Sequence, residues 1–222
     1  MIPLPDDEVW IFNALLATCS IAVAAWLRPW RAVRSKGPPW LWVFVAAALP
    51  WFWGLDLHTG VPVTLPMSIA PLMVLLCGWP LTVLALAPIA ALTWVAGDTG
   101  MADALTRLVW LGLVPATAAL AIGGATRRWL PHHLMVYILA RAWIGTFLAC
   151  TAAAWLRGWL HDLPPSFAPA DFVVASLLNA FGEAVLTGAL VAALVAFRPK
   201  MLASYADWLY LPGSTSPGRA DA

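Results

Sequence analysis

Long apolar runs separated by short polar breaks divide this chain from end to end. Such runs appear at about residues 10–27, 40–55, 65–77, 81–96, 105–125, 134–156 and 172–197. A hydrocarbon core about 30 Å thick needs roughly 20 apolar residues of helix to cross it, and most of these runs approach that length. The last is the most regular: Ala180, Ala184, Gly188 and Ala192 recur every fourth residue and draw one smooth stripe along a helix. Gly145, Ala149 and Ala153 repeat the pattern in the run before it. Stripes of small residues let helices approach closely, which is how they associate where lipid provides no hydrophobic drive. The run at 65–77 is the short one and holds Pro66 and Pro71; Pro88 and Pro115 interrupt two others. Broken helices at membrane depth are tolerated where they line a cavity.

Composition makes the reading global. Of 222 residues, 62% are hydrophobic and 10% charged, where an ordinary soluble domain carries roughly 25% charged residues. The expected fold is therefore all-α: a polytopic integral membrane bundle of about seven transmembrane helices. Residues 1–210 are expected to form a single transmembrane domain, with 211–222 as a flexible C-terminal tail rich in Pro, Gly and Ser. Charge sorting then sets the orientation. With seven crossings, one side receives Arg28, Arg31, Arg34, Lys36, Arg127, Arg128, Arg198 and Lys200, and the other receives Asp6, Asp7, Glu8, Asp56, Asp98, Asp103, Asp162 and Asp171. Arg107 and Arg157 are the basic exceptions on the acidic side. The positive-inside rule places the amino terminus outside and the carboxy terminus in the cytoplasm of a multi-pass inner-membrane protein. No cleavable signal peptide is expected, because the first residues are acidic. A net charge of +1 does not suit a nucleic-acid partner.

Candidate chemistry is sparse. Glu183 is the single charge in the last run, and a carboxyl at that depth requires a partner or water. With Asn179 one turn earlier it either faces a substrate path or a partner protein, or hydrogen-bonds adjacent helices and fixes their packing. Arg141 can snorkel toward the cytoplasmic rim, and a pairing with Glu183 lies at the limit of its reach. Asp56 and His58 with Asp98 offer a candidate divalent-metal site at the outer mouth, although Asp-x-His is not a specific signal and is more often an ordinary polar loop. His132 and His133 follow Pro131, where they cap a helix start. Cys19, Cys77 and Cys150 are widely spaced within apolar runs and read as small hydrophobes. There is no GxxxxGK(S/T), GxSxG, HExxH or CxxC, so the chain carries no ATP-hydrolysing loop and no catalytic constellation. No resident cofactor is expected; a divalent transition metal enters as a candidate substrate.

Several segments carry a family likeness. The stretch Trp129-Leu130-Pro131-His132-His133-Leu134-Met135-Val136-Tyr137-Ile138, and Gly182-Glu183-Ala184-Val185-Leu186-Thr187-Gly188 leading to Phe197-Arg198-Pro199, resemble CbiM-like permeases, the proteobacterial branch most nearly. The segment from Thr59 to Gly78-Trp79-Pro80 and the turn Gly97-Asp98-Thr99-Gly100 fit the same pattern. The resemblance implies the substrate-capturing membrane component of an energy-coupling factor ABC transporter, working with ATPase and coupling transmembrane subunits. It also implies metal ligands, a histidine directly after the initiator methionine and a second at the start of the third span. This chain begins Met1-Ile2-Pro3-Leu4 and places Leu65 or Pro66 at the second position, so neither imidazole is present. Two functions follow from these residues: capture of a small solute or metal ion for such a transporter, or a membrane accessory protein that binds another membrane protein and transports nothing.

Overall fold

The computed structural model describes residues 6–30, 40–54, 66–97, 100–161, 168–205 and 210. Among them the regular elements are all helical. Helix α1 is Asp6–Trp26 and α2 is Trp40–Trp53. Helix α3 is Ala70–Cys77 and α4 is Trp79–Gly97. Three long helices follow: α5 over Met101–Trp129, α6 over Leu134–Leu160 and α7 over Pro169–Phe197. A single 3-10 turn, Pro199–Met201, leads out of α7. Four of these helices, α1 and α5 to α7, are long and apolar enough to cross a membrane, and α2 and α4 are shorter apolar helices. The helical membrane bundle expected from the sequence is the fold.

The lipid-facing surface is legible in its exposed side chains. Val174, Leu178, Phe181 and Val185 lie exposed on α7, and Ile11 and Leu15 on α1. Exposed tryptophans gather at helix ends: Trp26, Trp51, Trp129 and Trp159. That is the belt expected at headgroup level. The opposite faces are buried. Ala180, Ala184 and Gly188 of α7 and Gly145, Ala149 and Ala153 of α6 are all buried, so both small-residue stripes lie inside; Gly145 faces Ile122 of α5, while α7 meets α6 at Trp143 and Cys150. The approach is close enough that a Cβ on Gly188 would stand 3.0 Å from Cδ1 of Trp143.

The third run departs most from a simple crossing. Residues 66–69 are not helical, and only Ala70–Cys77 coil into a helix. Eight residues rise about 12 Å, well short of the bilayer core. Pro66 and Pro71 account for it: Pro71 sits in the first turn of α3, where no backbone N–H is needed, and the chain before it cannot continue as helix. Ile69 takes a left-handed conformation (φ 56°) to turn the chain into α3. Every residue from Ala70 to Leu76 is buried. Helix α3 is an inner piece enclosed by α2, α4, α5 and α6, not a lipid-exposed span. Gly78, at φ 83°, makes the tight return into α4 that a side chain would strain.

The two longest-range helices also deviate from ideal geometry. Helix α5 is π-helical over Leu108–Leu113, and α6 over Tyr137–Ile144. In α5 this follows from Pro115, which has no N–H for the carbonyl of Leu111 four residues back. Gly112 in the same stretch lets Trp53 lie against the backbone; a Cβ there would be 3.1 Å from the indole. Trp53 is fully buried as a result.

Candidate functional site

A half-helix that starts inside the bundle leaves backbone N–H groups with no water to bond. Those groups organise the site. The carboxylate of Glu183 on α7 accepts from the backbone N–H of Ser68 at 2.6 Å (Oε1) and from that of Ile69 at 3.0 Å (Oε2). The thiol of Cys150 on α6 donates to Oε2 at 3.3 Å. Two acceptor oxygens thus meet two adjacent N–H donors at the entry to α3, where negative charge also suits the helix dipole. Glu183 is 2% exposed, so nearly all its hydrogen bonding comes from protein.

Ser68 completes the junction from its other atoms. Its hydroxyl donates to the carbonyl of Leu111 at 2.5 Å, the group that Pro115 leaves without its usual partner, and accepts from the N–H of Ala70 at 3.2 Å. Its carbonyl accepts from the indole N–H of Trp53 at 3.2 Å. One serine therefore ties α2, α3, α5 and α7 together. The far end of α3 is closed as carefully. The N–H of Ala203 donates to the carbonyl of Leu76 at 3.1 Å, and the Ser204 hydroxyl to that of Leu75 at 3.2 Å. The segment after α7 thus satisfies the carbonyl end of α3, while α7 itself satisfies the N–H end.

Beside this junction lies a small cavity of about 30 Å³. Ser68, Trp110, Cys150, Arg157, Asn179 and Glu183 contribute to its lining. Asn179 and Glu183, one turn apart on α7, face this common space. Trp110 is fixed at its indole N–H, which donates to Oδ1 of the buried Asn13 at 3.1 Å, and the ring of His161 meets it edge-on at 5.5 Å. Asn13 in turn donates to Thr106 at 3.3 Å, which anchors α1 to α5. Arg157 brings a fixed positive charge to the cavity, and Asp103 lies in electrostatic reach of it. Nearby, Arg107 pairs with Asp103 at 2.9 Å and donates to the carbonyl of Trp53. Both basic exceptions of the charge sorting therefore have inward tasks.

The remaining sequence-derived residues fall as follows. Asp56, His58 and Asp98 lie outside the described residues, as does the chain start. Arg141 does not pair with Glu183. Its Nη1 reaches the carbonyl of Ser204 at 3.5 Å and its guanidinium stands 5.7 Å from the Tyr137 ring centre, because the side chain runs toward the opposite end of α6 from the Glu183 junction. His133 caps the start of α6, with Nδ1 accepting from the N–H of Met135 at 3.2 Å. Cys19 is exposed and Cys77 half-buried, so of the three cysteines only Cys150 is an enclosed one, and it bonds Glu183 rather than merely filling space. Among the described residues no three His, Cys, Asp or Glu side chains gather as a metal site. Ser68, Cys150 and Arg157 escaped sequence reasoning. The signals available for them were the Pro66/Pro71 break, the carbonyl freed by Pro115 and the unexplained basic residue on the acidic side.

Comparison with known families matches residues 5–201 to CbiM, described as the cobalt uptake substrate-specific transmembrane region. The match is to the family as a whole. Neither the curated proteins nor the solved structures contain a match.

Proposed function

This chain belongs to the CbiM family, a family of cobalt-uptake membrane components, and from that premise we propose that it captures a small solute or metal ion for an energy-coupling factor type ABC transporter. The observation that carries the reading is the broken helix α3, held with its N-terminal end beside a small cavity that Asn179, Glu183 and Arg157 help to line. Such half-helices are found in transport proteins because irregular backbone at membrane depth is stable where it lines a cavity, and it brings backbone dipoles to a bound solute. In this reading Glu183 is a positioning residue: it fixes the Ser68–Ile69 backbone, and Asn179 and Arg157 meet what enters the cavity. Asp56, His58 and Asp98 form the outer capture point, offering the oxygen and imidazole donors that suit a divalent transition metal. The chain sits as a multi-pass protein in the cell inner membrane with its carboxy terminus in the cytoplasm. There it depends on separate ATPase and coupling transmembrane subunits, since it carries no nucleotide-binding loop of its own.

A second reading rests on a specific observation. No metal-binding cluster forms among the described residues, and the imidazoles implied by the nickel and cobalt members are missing from the sequence. A membrane accessory or assembly protein that binds another membrane protein would need neither. Affinity purification of the full chain from native membranes in mild detergent separates the two. Co-purifying ATPase and coupling subunits, with cobalt accumulation lost on deletion, are the expected result. A metalloprotein or redox partner in their place would overturn the transport reading.

A further inference from the structure

Where α5 ends and α6 begins, positive charge gathers with no carboxylate paired to it among the described residues. A notch of about 10 Å³ there is lined by Arg127, His132, Tyr137, Arg141 and Tyr210, among others. Arg141 is held across α5 by the absence of a side chain on Gly123, where a Cβ would stand 3.0 Å from its Nε. That Nε is buried and donates to nothing. The ion pair found among the described residues joins Arg107 to Asp103, and neither Arg127 nor Arg141 bonds a carboxylate. A guanidinium desolvated in this way and left with an unused donor is matched to an anion offering several oxygens.

The surroundings say which kind of anion. Leu130, which lines the notch, is 40% exposed, and Trp129 beside it 79%. A soluble anion has no use for an apolar margin of this kind, whereas an amphiphile satisfies both parts. We propose that this notch binds the phosphate of an anionic phospholipid headgroup, one oxygen entering toward Arg141 and the rest meeting the exposed Arg127 at the mouth. The apolar part of the lipid then meets Leu130 and Trp129. Basic notches between membrane helices are a known physical setting for headgroup recognition. Because Arg141 also reaches Ser204, the bound lipid stands next to the segment that closes α3.

The test uses the full chain, purified in a neutral maltoside and titrated with phosphatidylglycerol, cardiolipin or phosphatidylcholine. Retained lipid is read by native mass spectrometry and stability by thermal melting. The anionic lipids are expected to stay bound and raise the melting temperature, and phosphatidylcholine to do neither. Arg127→Gln should weaken anionic-lipid binding about tenfold, the loss of one charge-assisted contact. Arg141→Lys keeps the charge but removes Nε, and should weaken it as well. Arg128→Gln, an exposed neighbour outside the lining, should change it less than about twofold. Equal losses from Arg127→Gln and Arg128→Gln would overturn the proposal, since they would reflect diffuse surface charge. Phosphatidylcholine binding as tightly as phosphatidylglycerol would also overturn it. Inorganic phosphate at millimolar concentration displacing the lipid fully would assign the notch to a soluble anion and sink the lipid assignment.

Discussion

Replacing Glu183 by glutamine keeps the size of the side chain but changes what it offers. The carboxylate presents one oxygen to the Ser68 N–H at 2.6 Å and the other to the Ile69 N–H at 3.0 Å. An amide has one oxygen and one NH2, so one backbone N–H loses its acceptor and faces a donor instead. Leaving a buried donor unmade costs about 1–3 kcal/mol. Side-chain hydrogen bonds between membrane helices average nearer 0.6 kcal/mol, because the separated helices find other partners. The higher range applies here, since the start of a half-helix has no other partner within reach. For a chain of this size, about 2–4 °C of melting temperature accompanies each kcal/mol, so Glu183→Gln should melt roughly 2–12 °C lower. Glu183→Leu strands both N–H groups and the Cys150 thiol and should fall about twice as far. Tryptophan fluorescence during a thermal ramp in detergent reads both variants. A glutamine variant that melts within about 1 °C of the wild type would refute the reasoning, because it would show that neither N–H depends on the carboxylate.

Three further outcomes follow from the same geometry. Gly188→Leu forces α7 away from Trp143, which already lies 3.0 Å from where a Cβ would stand, and should destabilise the detergent-solubilised protein by about 1–3 kcal/mol; an unchanged melting curve would mean the stripe does not carry the α6–α7 contact. Ser68→Ala leaves the Leu111 carbonyl and the Ala70 N–H without their partner and should cost about 1–3 kcal/mol, whereas Thr117→Ala, whose hydroxyl only bonds back to Leu113 in its own helix, should cost less than half as much. Single cysteines at positions 6 and 162 should react with an impermeant reagent in intact cells, and those at positions 35 and 126 only after permeabilisation; labelling of position 126 from outside would break the seven-crossing topology.

The sequence alone determined the class of this protein and much of its surface. Runs of apolar residues, proline positions and the four-residue stripes are local properties, governed by a helical repeat that can be read one run at a time. They located the long helices to within a few residues, marked Gly145, Ala149 and Ala153 on one helix and Ala180, Ala184 and Gly188 on another as close-packing stripes that are indeed buried, and marked Glu183 as a group that needs a partner. His133 as a helix cap was equally local. Who the partner is could not be read that way. Glu183 bonds a backbone 115 positions away in sequence, and backbone N–H groups carry no residue letter to mark them. The natural guess from side-chain letters, Arg141, is instead drawn to the other end of its helix. That the third run is an enclosed half-helix was decided by tertiary structure too, because eight residues are stable there only when Glu183 supplies acceptors at one end and Ala203 and Ser204 supply donors at the other. Arg157 reached the cavity by the same kind of long-range packing, which places a residue by its neighbours in space and leaves no period along the chain.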